Sequence, residues 1–452
     1  MEIARLLTKP EGKTLEFKRD LSSTPGVLRT VSAFANTAGG TIVIGVDDED
    51  HAVRGLADPL REEERLANLI HDGIRPQVVV EIEVVAFRKQ SLLVVQVHPG
   101  PGRPYHIAKH GVEEGSYVRV GSTNRRAGPE MVDELRRANT GVSYDEQPLA
   151  DLDSEAIDFR LASEQFAAVR RLRKGDLRSL GVTKRIAGRD VPTIGGVLLF
   201  GRDRLELFPD AVIQIARFEG TGRIDILDMQ TIDATPVPAI DRALELAVQY
   251  TRRRFEIRGS RRRSVGRVPE SALREAIVNA VVHADYSQRG SQIGVAVYAN
   301  RVEVESPGLL PFGMTIEDIL SGHSKLRNRV LGRVFHELGL IEQWGTGVPR
   351  MIAACRRAGT AEPRFEEVGV HFRVVFPFEE VPAERPQARD SEILELLRDR
   401  GSLSTAEIAE AIGRTARTVR NRMKRLVDAR AVVVLGSGKH DPMRRYQLAT
   451  RR

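Results

Sequence analysis

Residues 269–287, PESALREAIVNAVVHADYS, are the stretch that decides the fold of the central part of this chain. Its apolar positions recur at helical spacing and predict a helix from Glu270 to His283. Glu275 and Asn279 are four residues apart, so they share one face of that helix. A carboxylate beside an amide suits a nucleotide site, because the amide oxygen can bind Mg²⁺ and the carboxylate can activate water. The buried side of the helix is expected to hold Ala272, Ile277, Ala280 and Val281.

Two glycine-containing turns follow this helix, at residues 305–311 and 344–348. Glycine lets a backbone approach a phosphate group and expose its N–H groups to it. The chain has no Gly-x-x-x-x-Gly-Lys-Ser/Thr motif, so a P-loop site is excluded. The helix and the turns together predict a nucleotide site, whose expected binding residues are Asn279, Ser306, Gly308, Gly345, Thr346 and Gly347.

Further helices and strands are predicted on both sides of this stretch. In the central part we expect strands at 197–200, 211–218, 292–298 and 301–305, and a helix at 241–254. Near the N-terminus we expect helices at 27–36 and 129–139, and strands at 41–46, 78–87, 91–97 and 116–120. Gly39-Gly40 is interpreted as a turn that enters the strand at 41–46.

The central part resembles the ATP-binding transcriptional regulators over roughly residues 160–380. The similarity lies in FGRDRLELFPDA at 200–211, in residues 273–287, and in the region from RNRVLG at 327–332 to GVPRM at 347–351. These regulators carry a divergent gyrase, Hsp90 and histidine-kinase type ATPase domain, often labelled a RecG-like C-terminal domain. The resemblance implies that Glu275 is a catalytic general base and that Asn279 is the Mg²⁺ ligand. It also implies that Gly308 lies by the adenine, and that Gly345 and Gly347 lie by the phosphates.

Two residues depart from the pattern of these ATPases. Ser306 stands where the wider group has an Asp that accepts from the adenine amino group, and Leu309 stands where a second glycine is expected. An ATPase-like scaffold with a vestigial pocket is therefore the alternative to a working ATP site. His283 and Asp285 suggest either a metal site or residues that cap and brace the end of the helix.

The C-terminal residues 390–452 carry a net charge of +6, whereas the rest of the chain carries +1. A locally basic segment is typical of a part that binds a polyanion. Helical spacing at 393–397, a helix at 406–411, a turn at Gly413 and a third helix capped by Thr415 predict a helix-turn-helix. Strands at 432–435 and 444–448 predict the wing, and the whole resembles winged-helix transcription factors.

One face of the third helix is rich in groups that bind DNA. Val419, Met423 and Leu426 are expected to be buried, which leaves the opposite face for bases and phosphates of double-stranded DNA. A small helical oligomerisation module is the alternative reading. The expected DNA-binding residues are Arg414, Thr415, Arg417, Thr418, Asn421, Arg422 and Arg425.

The N-terminal part resembles the Schlafen-type Alba-like (AlbA_2) domain over about residues 8–137. The similarity lies in EGKTLEFK at 11–18, FANTAGG at 34–40, IGVDD at 44–48 and YVRVGST at 117–123. The resemblance implies a nucleic-acid-binding module, in which Arg119, Ser122, Arg125 and Arg126 are candidates to hold phosphate. Some relatives are nucleases, so an alternative metal-dependent nuclease site is formed by Glu11, Glu16 and Asp47.

The sequence therefore predicts an α/β (α+β) multidomain protein with an Alba-like domain, a Bergerat-like ATPase α/β sandwich and a winged helix. The expected bounds are 1–140, 161–380 and 391–452, with linkers at 141–160 and 381–390. No apolar run is long enough to span a bilayer and no signal peptide is recognised, so no membrane association and a cytoplasmic location are expected. The single cysteine, Cys355, is expected to be buried in a helix.

The predicted function is that of a DNA-binding transcriptional regulator whose ATP-binding-like domain modulates DNA binding or assembly. ATP and Mg²⁺ are the expected cofactors, duplex DNA is the expected partner, and a homodimer fits half-site spacing. The alternative is an enzyme, either an ATPase or a metal-dependent nuclease, that the winged helix targets to nucleic acid.

Overall fold

The structure is a computed structural model that describes most of the chain. The described residues are 3–48, 50–251, 267–342, 345–378, 391–413, 415, 418–419, 422–423, 426–427, 432–435 and 445–448. Residues 1–378 form one compact unit and residues 379–452 form a second. The expected 381–390 linker lies outside the described residues. Within the described part of the chain, no helix is long and apolar enough to cross a membrane.

The N-terminal part of the first unit is a four-stranded sheet with a long helix against it. The sheet order is β1-β2-β5-β4, in which β1 and β2 are parallel and the other pairs antiparallel. The helices are α1 (Ile3–Leu6), α2 (Thr24–Asn36), α3 (Pro59–Gly73), α4 (Gly111–Gly115) and α5 (Pro129–Thr140). The strands are β1 (Leu15–Lys18), β2 (Gly40–Ile44), β3 (Ile74–Arg75), β4 (Val80–Phe87), β5 (Gln90–Val97), β6 (His106–Ile107), β7 (Tyr117–Val120) and β8 (Thr123–Arg126).

Both faces of this sheet are buried, because successive strand residues point to opposite sides. Ile42 and Ile44 contribute to the core under α2, whereas Val43 belongs to a second apolar cluster on the other face. The expected turn at Gly39-Gly40 is confirmed. Gly39 has a φ of +77°, and a Cβ built on Gly40 would lie 2.7 Å from the Phe34 ring, so neither position accommodates a larger residue.

The central part of the first unit is built on a six-stranded sheet of order β12-β11-β13-β14-β16-β15. Only β11 and β13 are parallel neighbours in this sheet. Its strands are β11 (Ile213–Phe218), β12 (Ile226–Ile232), β13 (Ile293–Val297), β14 (Arg301–Pro307), β15 (Arg364–Val368) and β16 (His371–Pro377), and a separate hairpin pairs β9 (Thr183–Ile186) with β10 (Arg189–Pro192).

Helices cover one side of this sheet and enclose the largest apolar core of the chain. The predicted helix at 270–283 is present with those bounds, and its four expected core residues are buried. Cys355 is buried in a helix, as expected. The helices are α6 (Phe159–Phe166), α7 (Asp176–Ser179), α8 (Ile194–Phe200), α9 (Arg204–Leu207), α10 (Pro236–Thr251), α11 (Glu270–His283), α12 (Ile316–Leu320), α13 (Arg329–Glu337) and α14 (Gly347–Ala358).

The prediction of a strand at 197–200 is wrong, because these residues form the end of α8. Thr193 caps α8 by accepting from the Gly196 N–H at 3.0 Å. All seven residues of α8 are buried. A helix buried on every side has no polar face, so its short apolar run has the same pattern as a buried strand.

Residues 141–160, which were expected to be a linker, pack against the central sheet domain. Asp145 is fully buried and accepts from the backbone N–H groups of Arg329, Val330 and Leu331, at 2.9, 2.7 and 3.0 Å. It thereby satisfies the first turn of α13, whose N–H groups have no partner within the helix. Burial raises the pKa of Asp145 to about 6. Residues 141–160 are therefore part of the folded central domain and not a linker.

The second unit has the layout of a winged helix. Its elements are α15 (Ser391–Arg400), β17 (Leu403–Ser404), α16 (Thr405–Ala411), β18 (Val432–Leu435) and β19 (Arg445–Leu448), and its sheet order is β17-β19-β18. Ser404 and Glu407 form a capping box at the start of α16. Gly413 has a φ of +60° in the predicted turn. Val419, Met423 and Leu426 are buried in the core of this unit, as the sequence predicts.

Candidate functional site

Helix α11 places Glu275 and Asn279 side by side. The Asn279 amide donates from Nδ2 to Oε1 of Glu275 at 3.1 Å, across one turn of the helix. Burial raises the pKa of Glu275. A raised pKa makes a carboxylate a stronger base, which suits a group that accepts a proton from water. The amide N–H is used on Glu275, so the oxygen of Asn279 is the atom that can bind a cation.

The residues predicted to bind nucleotide meet around one cavity of about 790 Å³. A cavity of this size is in the range of small-molecule and cofactor sites. Helix α11, the end of β14 and the start of α14 each supply part of its wall. Its lining includes every residue that the sequence assigned to the site, namely Glu275, Asn279, Ser306, Gly308, Gly345, Thr346 and Gly347.

Neither of the two glycine turns has room for a side chain at its central glycine. Gly308 has a φ of +98°, and a Cβ built on it would lie 2.9 Å from Cβ of Asp285. Gly345 has a φ of +65°, and a Cβ there would overlap the carbonyl oxygen of Gly322. Two backbone segments therefore approach each other closely at Gly345, whereas the backbone at Gly308 lies against side chains and its N–H donates to the Val370 carbonyl at 2.8 Å.

The structure also brings to the cavity residues that the sequence analysis does not predict. The loop at 322–325 lines the cavity with His323, Ser324 and Lys325, and α13 adds a basic face. The signal for that face was present, because Arg329, Arg333 and His336 are spaced four and three residues apart and so share one side of a helix. Cationic side chains at a cavity wall favour an anionic ligand.

The residues present fit an ATP·Mg²⁺ ligand at one end of the cavity better than at the other. Glu275 and Asn279 supply oxygen donors of the kind that Mg²⁺ takes, and basic residues are available for phosphate. Ser306 is buried in β14, and its hydroxyl is a weaker fixed acceptor for an adenine amino group than a carboxylate. At the end of the cavity where the adenine would bind, the residues therefore fit ATP less well than those of the wider ATPase group.

His283 and Asp285, which suggest either a metal site or a brace for the end of α11, have different surroundings. Asp285 braces its own turn, because its carboxylate accepts from the backbone and hydroxyl of Ser287 and from the Gln288 amide. His283 lines the cavity, and its buried Nδ1 has no hydrogen-bond partner. The end of α11 is instead held by Asn328, whose Nδ2 donates to the carbonyls on either side of His283 at 2.9 and 2.7 Å.

In the N-terminal part, the expectation that Arg119 holds phosphate is wrong. The side chain is fully buried and pairs with Glu16 at 2.6 Å. It also donates to the Gly12 and Leu15 carbonyls and to Asn124. All of its donating nitrogens therefore have partners inside the protein, and an incoming phosphate cannot reach them.

The other three candidates of this group lie on the exposed β7–β8 hairpin. Ser122, Arg125 and Arg126 are all exposed. Arg126 also pairs with Glu114, which is itself exposed. An exposed ion pair of this kind is weak, so it leaves the guanidinium available to a stronger anion. The hairpin is therefore the accessible cationic feature among the predicted residues of this domain.

The alternative nuclease site does not assemble. Glu16 is taken up by Arg119 and by Lys18 at 2.8 Å, and Glu11 accepts from the Phe17 N–H. Asp47 lies 3.5 Å from the Arg54 guanidinium. Among the residues that the structure describes, no group of three His, Cys, Asp or Glu side chains could hold a metal ion. Glu16 and Asp47 thus pair with neighbouring cations and Glu11 with a backbone N–H, instead of the three carboxylates facing one metal position.

The structure covers part of the predicted DNA-binding face. Thr415 and Thr418 are exposed, and Arg422 is half-buried. The Thr415 hydroxyl accepts from the Thr418 N–H at 3.3 Å, which is the capping bond that the sequence predicts. Arg414, Arg417, Asn421 and Arg425 lie outside the described residues.

Three protein families match successive parts of the chain. "Schlafen, AlbA_2" matches residues 11–128, "Putative ATP-dependent DNA helicase recG C-terminal" matches residues 290–376, and "Winged helix-turn-helix DNA-binding" matches residues 387–432. The second match begins after α11, so Glu275 and Asn279 lie outside it. No curated protein matches the chain.

The solved structures that are similar to the chain include the following two. The DIP2311 protein from Corynebacterium diphtheriae is 20% identical, with 96% of this chain and 95% of that chain covered and a TM-score of 0.41. The N-terminal domain of a "Putative ATP-dependent DNA Helicase RecG-related Protein" from Nitrosomonas europaea is 27% identical, with 27% of this chain and 89% of that chain covered and a TM-score of 0.23. The family matches confirm the predicted architecture: the chain combines a Schlafen AlbA_2 domain, a RecG-like C-terminal ATPase-type domain and a winged helix-turn-helix.

Proposed function

We propose that this protein is a transcriptional regulator that binds duplex DNA through its winged helix and binds ATP with Mg²⁺ in the cavity beside α11. The single observation that carries the nucleotide part is the convergence of Glu275, Asn279 and the two glycine turns on one cavity. The DNA part is supported by the winged helix-turn-helix match and by the net charge of +6 on residues 390–452.

In this proposal, nucleotide binding changes how the protein binds DNA or assembles. Asn279 would hold the Mg²⁺, the turn at 345–347 would contact phosphates, and Gly308 would allow the base to approach the backbone. Bound Mg²⁺ would supply the positive charge that neutralises the triphosphate. A homodimer would present two winged helices to two half-sites of an operator, in the cytoplasm, where the chain meets DNA.

Titration with a fluorescent ATP analogue, with and without Mg²⁺, tests the nucleotide part. We expect saturable binding that Mg²⁺ strengthens and that Asn279→Ala loses. Gln288→Ala is the matched control, because this amide binds Asp285 outside the cavity. Equal affinity of the wild type and Asn279→Ala would contradict the assignment of Asn279.

Replacing Arg417 and Asn421, which the sequence places on the recognition face, tests the DNA part. Each replacement should cost about 1–3 kcal/mol of specific binding if the side chain touches a base. The measurement is the affinity for a duplex that the protein selects from a random library. Unchanged affinity and selectivity in both variants would remove these residues from base recognition.

ATP hydrolysis is the second candidate function, and the burial of Glu275 favours it. A buried carboxyl group with a raised pKa is typical of a catalytic base. We expect Glu275→Gln to lower phosphate release by about 100-fold or more while nucleotide affinity changes little. Phosphate release that is as fast in Glu275→Gln as in the wild type would exclude Glu275 as the base.

A further inference from the structure

A single segment, Leu309–Phe312, belongs both to the cavity and to the contact with the N-terminal domain. Leu309, Leu310 and Pro311 line the cavity. Leu309 and Phe312 are at the same time buried in an apolar cluster with residues of the N-terminal domain. The partners in that cluster are Val118 and Val120 of β7, Ala127, and Met131, Val132 and Leu135 of α5.

Arg327 connects this segment to helix α5 by hydrogen bonds. Its guanidinium donates from Nη2 to the Leu309 carbonyl and from Nη1 to the Glu134 carboxylate. Both side chains are largely buried, with 8% of Arg327 and 14% of Glu134 exposed. The same guanidinium lies 3.2 Å from a Cβ built on Gly308, so it also stands directly against the glycine turn of the cavity. A buried pair of this kind is screened little by solvent.

Two more contacts cross the same interface. Glu367 accepts at Oε1 from the Leu310 N–H at 2.9 Å and from Lys13 Nζ at 2.5 Å. The Gly313 N–H donates to the Thr37 carbonyl at 3.0 Å. The Gly313 N–H is thus bound directly by the N-terminal domain, and the Leu310 N–H is connected to that domain through Glu367 and Lys13.

We propose that Arg327 is a positioning residue that links the Gly308 turn of the cavity to helix α5, so that a ligand in the cavity and the AlbA_2 domain influence each other. The link continues to the basic hairpin, because Val118 and Val120 of β7 pack on Leu309 and Phe312 while β8 carries Arg125 and Arg126. The proposal rests on the nucleotide function proposed above. By linkage, a change that nucleotide causes in polyanion affinity equals the change that the polyanion causes in nucleotide affinity.

The link can be tested without any ligand by hydrogen exchange of the full chain. Glu134→Gln removes the charge that Arg327 contacts on α5, and Asp133→Asn is the matched control, because Asp133 is exposed on the same helix and pairs with Arg136. We expect faster exchange at 308–313 in Glu134→Gln, unchanged exchange there in Asp133→Asn, and partial recovery in Glu134→Asp. Unchanged exchange at 308–313 in Glu134→Gln would overturn the proposal.

A second arm uses the non-hydrolysable ATP analogue AMPPNP with Mg²⁺. In the wild type it should protect amides at 308–313 and also at 117–135, and it should change the affinity of the chain for a single-stranded oligonucleotide by about fivefold or more. In Glu134→Gln, protection should stay within 308–313. Protection confined to the cavity in the wild type would overturn the link and leave the nucleotide function intact. Absence of AMPPNP binding would refute the nucleotide function, and the ligand-free comparison would still decide the link.

Discussion

Gly347 lies directly against the carboxylate of Glu275. A Cβ built on Gly347 would overlap Oε1 of Glu275 and lie 3.4 Å from Nδ2 of Asn279. The first residue of α14 must therefore be a glycine if the Glu275–Asn279 pair is to keep its position. The N-terminus of a helix also attracts anions, which places a phosphate-favouring feature beside the proposed Mg²⁺ ligand.

Gly347→Ala should weaken nucleotide binding strongly and leave the fold intact. The atom that the new methyl group meets is the end of a flexible side chain, so Glu275 can swing aside at little cost to folding. We expect affinity for the fluorescent ATP analogue to fall at least tenfold, about 1.4 kcal/mol. Gly175→Ala is the control, because a Cβ there meets nothing within 4 Å. Wild-type affinity in Gly347→Ala would contradict the placement of the site.

Glu275→Gln should make the protein more stable at neutral pH. Burial raises the pKa of Glu275, so its charged form opposes folding above that pKa. The neutral form carries no such penalty, and the difference between variant and wild type should therefore shrink as the pH falls through the raised pKa. Urea unfolding at several pH values measures it. A stability difference that does not change with pH would contradict this account.

His283 should make the protein sensitive to acid. Burial lowers the pKa of His283 to about 4, from an ordinary value of 6.5. Below the ordinary value the unfolded chain takes up a proton that the folded protein does not, so stability falls as the pH drops from 6.5 toward about 4, by up to about 3 kcal/mol. His283→Gln should lose less stability than the wild type between pH 7 and 5. The exposed His110→Gln should behave like the wild type, and identical acid sensitivity in all three proteins would refute the role of His283.

Arg119→Met should destabilise the N-terminal domain, whereas Arg125→Ala should not. Removing the guanidinium leaves Glu16 short of its nearest buried partner, which typically costs about 3–5 kcal/mol. Arg125 is exposed on β8, so its loss should change polyanion binding instead, lowering the slope of log affinity against log salt by about one. Thermal unfolding and salt titrations with an oligonucleotide separate the two effects. A stable Arg119→Met protein that binds oligonucleotide poorly would reverse this assignment.

The sequence predicted what depends on neighbours along the chain. Glu275 and Asn279 are one helical turn apart, so their contact followed from spacing alone. The capping bond of Thr415 and the turn at Gly39 followed from local rules in the same way. A strand is predicted at 197–200, where the structure has a helix. That helix is buried on all sides, so its hydrophobic periodicity does not distinguish it from a strand.

The sequence could not predict what depends on distant partners. Arg119 is buried because folding brings Glu16 to within 2.6 Å of it from more than a hundred residues away. The packing of Asp145 on the first turn of α13 and the pairing of Arg327 with Glu134 join residues that are still farther apart along the chain. Charged residues are usually exposed, so the sequence predicts that Arg119, which lies near a glycine turn, binds phosphate. In the folded protein Arg119 is instead buried and holds Glu16 and neighbouring carbonyl groups.

Control of DNA binding by nucleotide is tested most directly by the affinity of the full chain for a selected duplex, measured with and without saturating Mg²⁺ and AMPPNP. We expect the analogue to change duplex affinity at least fivefold in the wild type and much less in Gly347→Ala. Duplex affinity that is the same with and without the analogue in the wild type, under conditions in which the analogue is bound, would contradict it.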